Sequence, residues 1–171
     1  MNIEIIKVEI KDLLQLQKIA TQTFIETFSE VNTEENMRKY LEENLSLDKI
    51  STELKNKDSE FYFAIINTDI IGYLKINFGN SQTELKHDNT VEIERIYVLK
   101  EYHGKKVANV LFEKALSISK HKQANYIWLG VWEENPRAIT FYRKQGFVGF
   151  DKHIFVLGDD KQTDILMKLV L

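Results

Sequence analysis

Val98-Leu99-Lys100-Glu101-Tyr102-His103-Gly104-Lys105-Lys106-Val107-Ala108-Asn109-Val110-Leu111 carries the chain from the end of a strand into a helix. Residues 91–98 read as the strand. Ala108, Leu111, Phe112 and Ala115 then recur at helical spacing, and this apolar face can anchor a helix over residues 104–120 to a sheet. A helix start presents unpaired N–H groups and the positive end of the helix dipole. It therefore binds phosphate without needing any particular side chain, and the amides of 103–109 can converge on an anion. On its own this segment is also what any α/β protein contains, and a lysine pair such as Lys105-Lys106 is commonly just solvated.

Working outward, residues 126–132 form the next strand. Residues 135–145 form a short helix with Asn135 at its N-cap, Pro136 at its first position and Gly146 just past its end. Residues 147–157 and 164–171 close the chain as two strands. Upstream, 79–90 is polar and loop-like, and 61–66 and 70–78 pair as a hairpin across an Asn67-Thr68-Asp69 turn. Before them lie a short first strand at 3–8 and a helix from Asp12, its N-cap, to about Phe28, with Leu13, Leu16, Ile19, Ala20, Thr23 and Phe24 at helical spacing. A second helix starts at 32–36, and 45–54 reads as a further short one. The order β, α, α, β, β, β, α, β, α, β, β predicts an α/β fold. Its core is a central, mostly antiparallel mixed sheet of about seven strands with helices on both faces.

A chain of 171 residues suits one domain spanning 1–171. A net charge of −3 gives no reason to expect a nucleic-acid partner. The chain has no Cys, which removes disulfides, thiolate metal sites and Cys nucleophiles, and no metal is expected. The N-terminal residues do not read as a signal peptide, and no apolar window is long enough to span a membrane. The expected setting is the cytoplasm, with no membrane partner.

The second decisive block is Asn135-Pro136-Arg137-Ala138-Ile139-Thr140-Phe141-Tyr142-Arg143-Lys144-Gln145-Gly146-Phe147. With the 98–111 block it resembles the GNAT superfamily of acyl-CoA-dependent N-acyltransferases. Asn135, Ala138, Phe141, Tyr142, Gly146 and Phe147 fill the positions of that family's second signature. In the first signature Ala108 fits, while His103 stands for the family's Gln or Arg and Lys106 for a Gly. The resemblance covers nearly the whole chain and implies the GNAT fold and acetyl-CoA as co-substrate. It implies a cofactor site at Ile96, Tyr97, Val98, His103, Gly104, Lys105, Lys106, Val107, Ala108, Asn109, Asn135, Ala138, Tyr142 and Lys144. The strands at 91–98 and 126–132 would splay there, and the acyl arm would borrow backbone groups from Ile96 and Val98. Tyr142 would protonate the departing thiolate; a tyrosine with its ordinary pKa near ~10 is protonated at neutral pH. Without the surrounding pattern, Tyr142 would read as an amphipathic core tyrosine.

An amine acceptor must lose a proton before it attacks. Glu92 and Glu94 are candidate bases. Strand alternation places both on one face with Ile96 and Val98, and proximity with burial raises a carboxylate pKa. Glu94 is slightly favoured because it is nearer the expected splay; both could equally be exposed strand carboxylates. The runs at 92–98, 127–133 and 158–164, with Glu26-Thr27-Phe28 and Glu35-Asn36-Met37, resemble the PaiA-type branch of spermidine/spermine N-acetyltransferases. That resemblance implies an acceptor pocket bordered by Phe24, Phe28 and Tyr40, and direct transfer to a polyamine or other small primary amine in a ternary complex. Other acceptors (a protein lysine, an N-terminus) stay open, as does a catalytically silent acyl-CoA-binding regulator. The chain is expected to be a monomer or a homodimer.

Overall fold

The computed structural model describes residues 1–84 and 87–171. Strand β1 (Glu4–Lys7) leads into helices α1 (Leu13–Phe28), α2 (Glu34–Asn44) and α3 (Leu47–Lys55). Strands β2 (Ser59–Ile66), β3 (Asp69–Phe78) and β4 (Thr90–Val98) follow. Then come α4 (Val107–His121), β5 (Tyr126–Trp132), α5 (Pro136–Lys144), β6 (Val148–Leu157) and β7 (Asp160–Val170). The strands form one seven-stranded sheet in the order β1-β2-β3-β4-β5-β7-β6. Neighbours are antiparallel except β4 and β5, which run parallel.

The local reasons are mostly those the residues suggest. Thr33 and Ser46 cap α2 and α3 by accepting from the Asn36 and Lys49 amides, 3.1 and 3.2 Å. Asn135 caps α5 through the Ala138 amide at 3.1 Å, with Pro136 in the first turn. Asn67, at φ +56°, makes the turn between β2 and β3. Asp12 differs: it precedes α1, but its carboxylate accepts from the Glu9 amide at 2.9 Å and closes the preceding 3-10 turn instead. α4 starts at Val107 rather than Gly104, because a 3-10 turn at Lys100–Tyr102 takes up the connection. β7 starts four residues before the expected strand, at Asp160, in a tight hairpin with β6. The expected 79–90 loop contains a 3-10 turn at Gly79–Ser81, and Leu85 and Lys86 lie outside the described residues.

Apolar burial covers both faces of the sheet. Leu111, Phe112 and Ala115 of α4 and Ile139 and Tyr142 of α5 pack on Leu74, Ile76, Ile93, Ile127 and Leu129. Leu16, Ile19 and Phe24 of α1, Met37 of α2 and Ile50 of α3 pack on Phe61, Phe63 and Tyr73. Each fully buried side chain of this kind stabilises the fold by roughly 1.5–3 kcal/mol.

One irregularity matters for the site. β4 pairs Lys75↔Arg95 and Ile76↔Ile93 with β3, so Glu94 is an inserted, bulged residue. A bulge reverses which side of the sheet the following residues face. Val91 and Ile93 before it, and Ile96 and Val98 after it, all pack on the α4–α5 side, while Tyr97 packs on the α1–α3 side. The expectation that Glu92 and Glu94 share a face with Ile96 and Val98 is therefore overturned. The carboxylates belong to the opposite face, and the strict two-residue alternation fails at Glu94.

Candidate active site

β4 and β5 pair through Thr90↔Tyr126, Val91↔Ile127 and Glu92↔Trp128, and the described ladder goes no further. Beyond that point the two strands diverge, and residues 94–98 and 129–132 present a gap in the middle of the sheet. A cavity of about 530 Å³ occupies the gap and continues toward α1 and α2. Ile96, Tyr97, Asn135, Ala138 and Tyr142 line one end, and Phe24, Phe28, Tyr40, Glu92 and Glu94 line the other parts.

Tyr142 is held by edge-on contacts with Phe141 and Phe147. It is 6% exposed, and that exposure opens into the cavity. Its hydroxyl has no hydrogen-bond partner among the described residues. Burial raises its pKa, so it is a phenol at any physiological pH. Asn135 uses its carbonyl for the cap and leaves its side-chain NH2 for a ligand. Ala138 leaves room beside it for a slender chain.

Past the cavity, β4 leads into the start of α4. Gly104 and Lys106 are both left-handed, at φ +78° and +65°. Lys106 thus sustains a backbone conformation natural to glycine, and its side chain does not prevent the turn. The amides of Val107, Ala108 and Asn109, in the first turn of α4, lack intrahelical acceptors. Val107 buries its side chain, so only its amide is available there. His103 Nε2 donates to the Val98 carbonyl at 2.8 Å, and its Nδ1 faces the Arg137 guanidinium from α5. Burial, together with Arg137, lowers its pKa, so His103 is neutral and braces β4 against α5. Lys105 lies over the Tyr102 ring at 4.9 Å. Lys144 is exposed in the last turn of α5, outside the cavity.

Toward α1 and α2, Phe24 stacks on Tyr40 at 4.3 Å, and Phe28 meets Trp132 and Phe155 at 5.7 and 6.0 Å. All five rings line the cavity. Trp132 and Phe155 were not among the predicted pocket residues. Trp132 lies in the 127–133 run that already stood out, whereas Phe155 belongs to a strand that carries no site signal of its own in the sequence.

The carboxylates are differently placed. Lys75 bonds Glu53 at 2.7 Å and forms an ion pair with Glu94, and Arg95 grips both oxygens of Glu53 at 2.9 and 3.0 Å. Burial works to raise the Glu94 pKa, but the Arg95 and Lys75 cations outweigh it and hold Glu94 below the ordinary range. Glu92 accepts from the Asn77 amide and the Thr83 backbone amide, both at 2.9 Å, and from the Thr83 hydroxyl. Burial still leaves its pKa raised. Asp164, on β7, lines the same cavity.

Residues 14–147 match the acetyltransferase (GNAT) family. The chain belongs to that family. It is 39% identical over 170 residues to an uncharacterized N-acetyltransferase in the pepI 3′ region of Lactobacillus delbrueckii subsp. lactis, covering 99% of this chain and 98% of the relative. It is 29% identical over 151 residues to a spermidine N(1)-acetyltransferase of Thermoplasma acidophilum, covering 86% and 89%. The crystal structure of the PaiA N-acetyltransferase from Thermoplasma acidophilum in complex with coenzyme A superposes with a TM-score of 0.81 at 27% identity over the whole of both chains. This GNAT protein is an acetyl-CoA-dependent N-acetyltransferase. The diverging strands, the small Ala138 and the free amides at the start of α4 fit that co-substrate. No three His, Asp or Glu side chains gather as a metal site among the described residues, and no described helix is long and apolar enough to cross a membrane.

Proposed function

We propose that this enzyme acetylates a primary amine of a polyamine such as spermidine, by direct attack in a ternary complex. The observation that carries the reading is the composition of the acceptor end of the cavity. The rings of Phe24, Phe28, Tyr40, Trp132 and Phe155 stand beside the carboxylates of Glu92, Glu94 and Asp164. Aromatic faces and nearby carboxylates attract ammonium groups, and the methylene spacers of a polyamine lie well against rings. The 29% identity to a spermidine N(1)-acetyltransferase supports the same reading.

Acetyl-CoA supplies the activated acetyl group. The amides at the start of α4 receive its phosphates, Asn135 offers its NH2 to the pantetheine arm, and the backbone of 94–98, unpaired on its β5 side, aligns it. Tyr142 stands ready to protonate the departing sulfur. Positioning amine and thioester together supplies a large part of the rate. Cys is absent from the chain, so no cysteinyl acyl-enzyme forms.

The test is release of CoA thiol from acetyl-CoA with spermidine, spermine, putrescine and a lysine peptide as separate acceptors. Spermidine or spermine should give the highest kcat/KM. A preference for the peptide or no polyamine-dependent release would overturn the assignment.

A further inference from the structure

We propose that Asp164, on β7, takes the proton from the attacking amine, and that Glu92 and Glu94 are structural and electrostatic. This deepens the proposed amine acetylation and rests on that reading.

Glu94 and Glu92 are already committed. Glu94 is ion-paired to Lys75 and hydrogen-bonded to Asn77 at 3.0 Å, inside the network that Glu53 and Arg95 complete. Glu92 accepts from Asn77 and twice from Thr83. Taking a proton there would discharge a carboxylate and weaken the charge-assisted bonds that hold β3, β4 and α3 together.

The Asp164 carboxylate has no hydrogen bond or ion pair among the described residues, and it lines the cavity. It sits opposite Trp132 on β5 and His153 on β6 in the strand ladders. Its Oδ2 leans over Gly130: a Cβ placed on Gly130 would lie 3.4 Å from it. Gly130 belongs to the part of β5 that has parted from β4, so the carboxylate overhangs the gap where the thioester must lie. The Trp132 ring, next to Asp164 across the ladder, belongs to the aromatic wall.

The charged and titratable groups around Asp164 are His153 on β6, Glu84 before β4 and Tyr40 on α2. His153 Nε2 bonds Glu84 at 2.7 Å, which leaves Asp164 to the cavity. Burial, with Glu84 adding to it and His153 opposing it, pushes Asp164 up to about 6. A carboxylate so placed is ionised at neutral pH yet more basic than an exposed one.

The step balances. The ammonium R–NH3+ gives one proton to Asp164, directly or through one water. The nitrogen lone pair forms the C–N bond as the C–S bond breaks. Tyr142 protonates the sulfur and recovers the second proton shed by nitrogen. Asp164 passes its proton to solvent, so ammonium and thioester yield amide, thiol and one H+.

The experiment measures kcat/KM from about pH 5 to about pH 9 on the amine of the panel that the wild type turns over fastest, for wild type, Asp164→Asn, Asp164→Glu and Gly130→Ala. General-base loss should lower kcat/KM about 100-fold in Asp164→Asn. KM for acetyl-CoA should be unchanged, the wild-type acid limb near 6 should vanish, and Asp164→Glu should restore part of the activity and the limb. Gly130→Ala, which adds a methyl at ordinary contact distance from the carboxylate without removing it, should keep the acid limb. An Asp164→Asn enzyme within about threefold of wild type, or one that keeps the limb, would sink the proposal. The wild type's choice of amine decides the polyamine reading separately, because it does not depend on any Asp164 variant.

Discussion

Asn36 occupies the space that a side chain at Gly158 would need: a Cβ on Gly158 would collide with the Asn36 carboxamide. The same Asn36 donates through Nδ2 to Asp159 Oδ1 at 2.7 Å. The start of α2 is thereby clasped to the β6–β7 turn, and the two elements that carry Tyr40 and Phe155 are held at the ring separation of 5.9 Å.

Gly158→Ala should therefore destabilise the protein by about 1–3 kcal/mol, because it adds a clash at a left-handed residue (φ +64°). Asn36→Gly should relieve the clash but not the backbone strain. Thermal unfolding of both single variants and the pair should give a coupling between them, and strict additivity would contradict the clasp.

Tyr142→Phe removes the hydroxyl that faces the cavity from α5 while keeping the ring packed on Phe141 and Phe147. The expected loss in kcat is at least ~10-fold, about 1.4 kcal/mol of transition-state stabilisation, with little change in KM for acetyl-CoA. Thiol-release kinetics check it; an unaltered kcat would remove Tyr142 from the proton path.

Lys75→Met should leave Glu53 and Glu94 buried with only Arg95 to balance them. Breaking such a network costs roughly 3 kcal/mol, and urea unfolding should show it as a lower midpoint with unchanged slope. A midpoint within error of wild type would mean the pairs are energetically idle.

Lys106→Gly should raise stability by up to about 1 kcal/mol, because the native φ of +65° is strained for lysine and free for glycine. Lys106→Ala should not share the gain. The substitution also removes a charge at the phosphate end, so KM for acetyl-CoA should rise for both variants. Equal melting temperatures for Gly and Ala would contradict the strain argument.

Asp164 also makes a prediction for stability against pH. Its folded pKa, about 6, lies above its ordinary 3.8, so the folded state holds the proton more tightly. Its contribution to stability is complete below about 3.8 and is lost as pH rises through about 6. Asp164→Asn should thus gain melting temperature relative to wild type at pH 8 but not at about pH 4. Differential scanning calorimetry at both values checks the sign, and the other carboxylates cancel in the difference.

The fold was readable because its signals are local: the apolar runs of β2 and β3 on either side of a polar turn, the cap at Asn135 with Pro136 beside it, and the apolar stripe of α4. The Asn135-to-Phe147 block placed Tyr142 on the cavity wall because α5 is short and capped at both ends. The failures are non-local. Nothing in the residues around Glu94 announces a bulge, since it arises from pairing with β3, and so the parity reading put Glu92 and Glu94 on the wrong side of the sheet. Phe155 and Asp164 enter the cavity only because β7 inserts between β5 and β6, a neighbour relation that strand propensity does not encode. The partners that occupy Glu94, Lys75 and Arg95, are likewise assembled across strands.

The parting of β4 from β5 has a thermodynamic meaning. Most sheets have unpaired amides and carbonyls only along their two outer rims, but this one also has them in its middle, between residues 94–98 and 129–132. Whatever fills that seam completes the hydrogen bonding of the sheet from within. Ligand affinity and resistance to unfolding are then a single quantity seen from two directions, and saturation with acetyl-CoA should tighten the centre of the protein more than its edges.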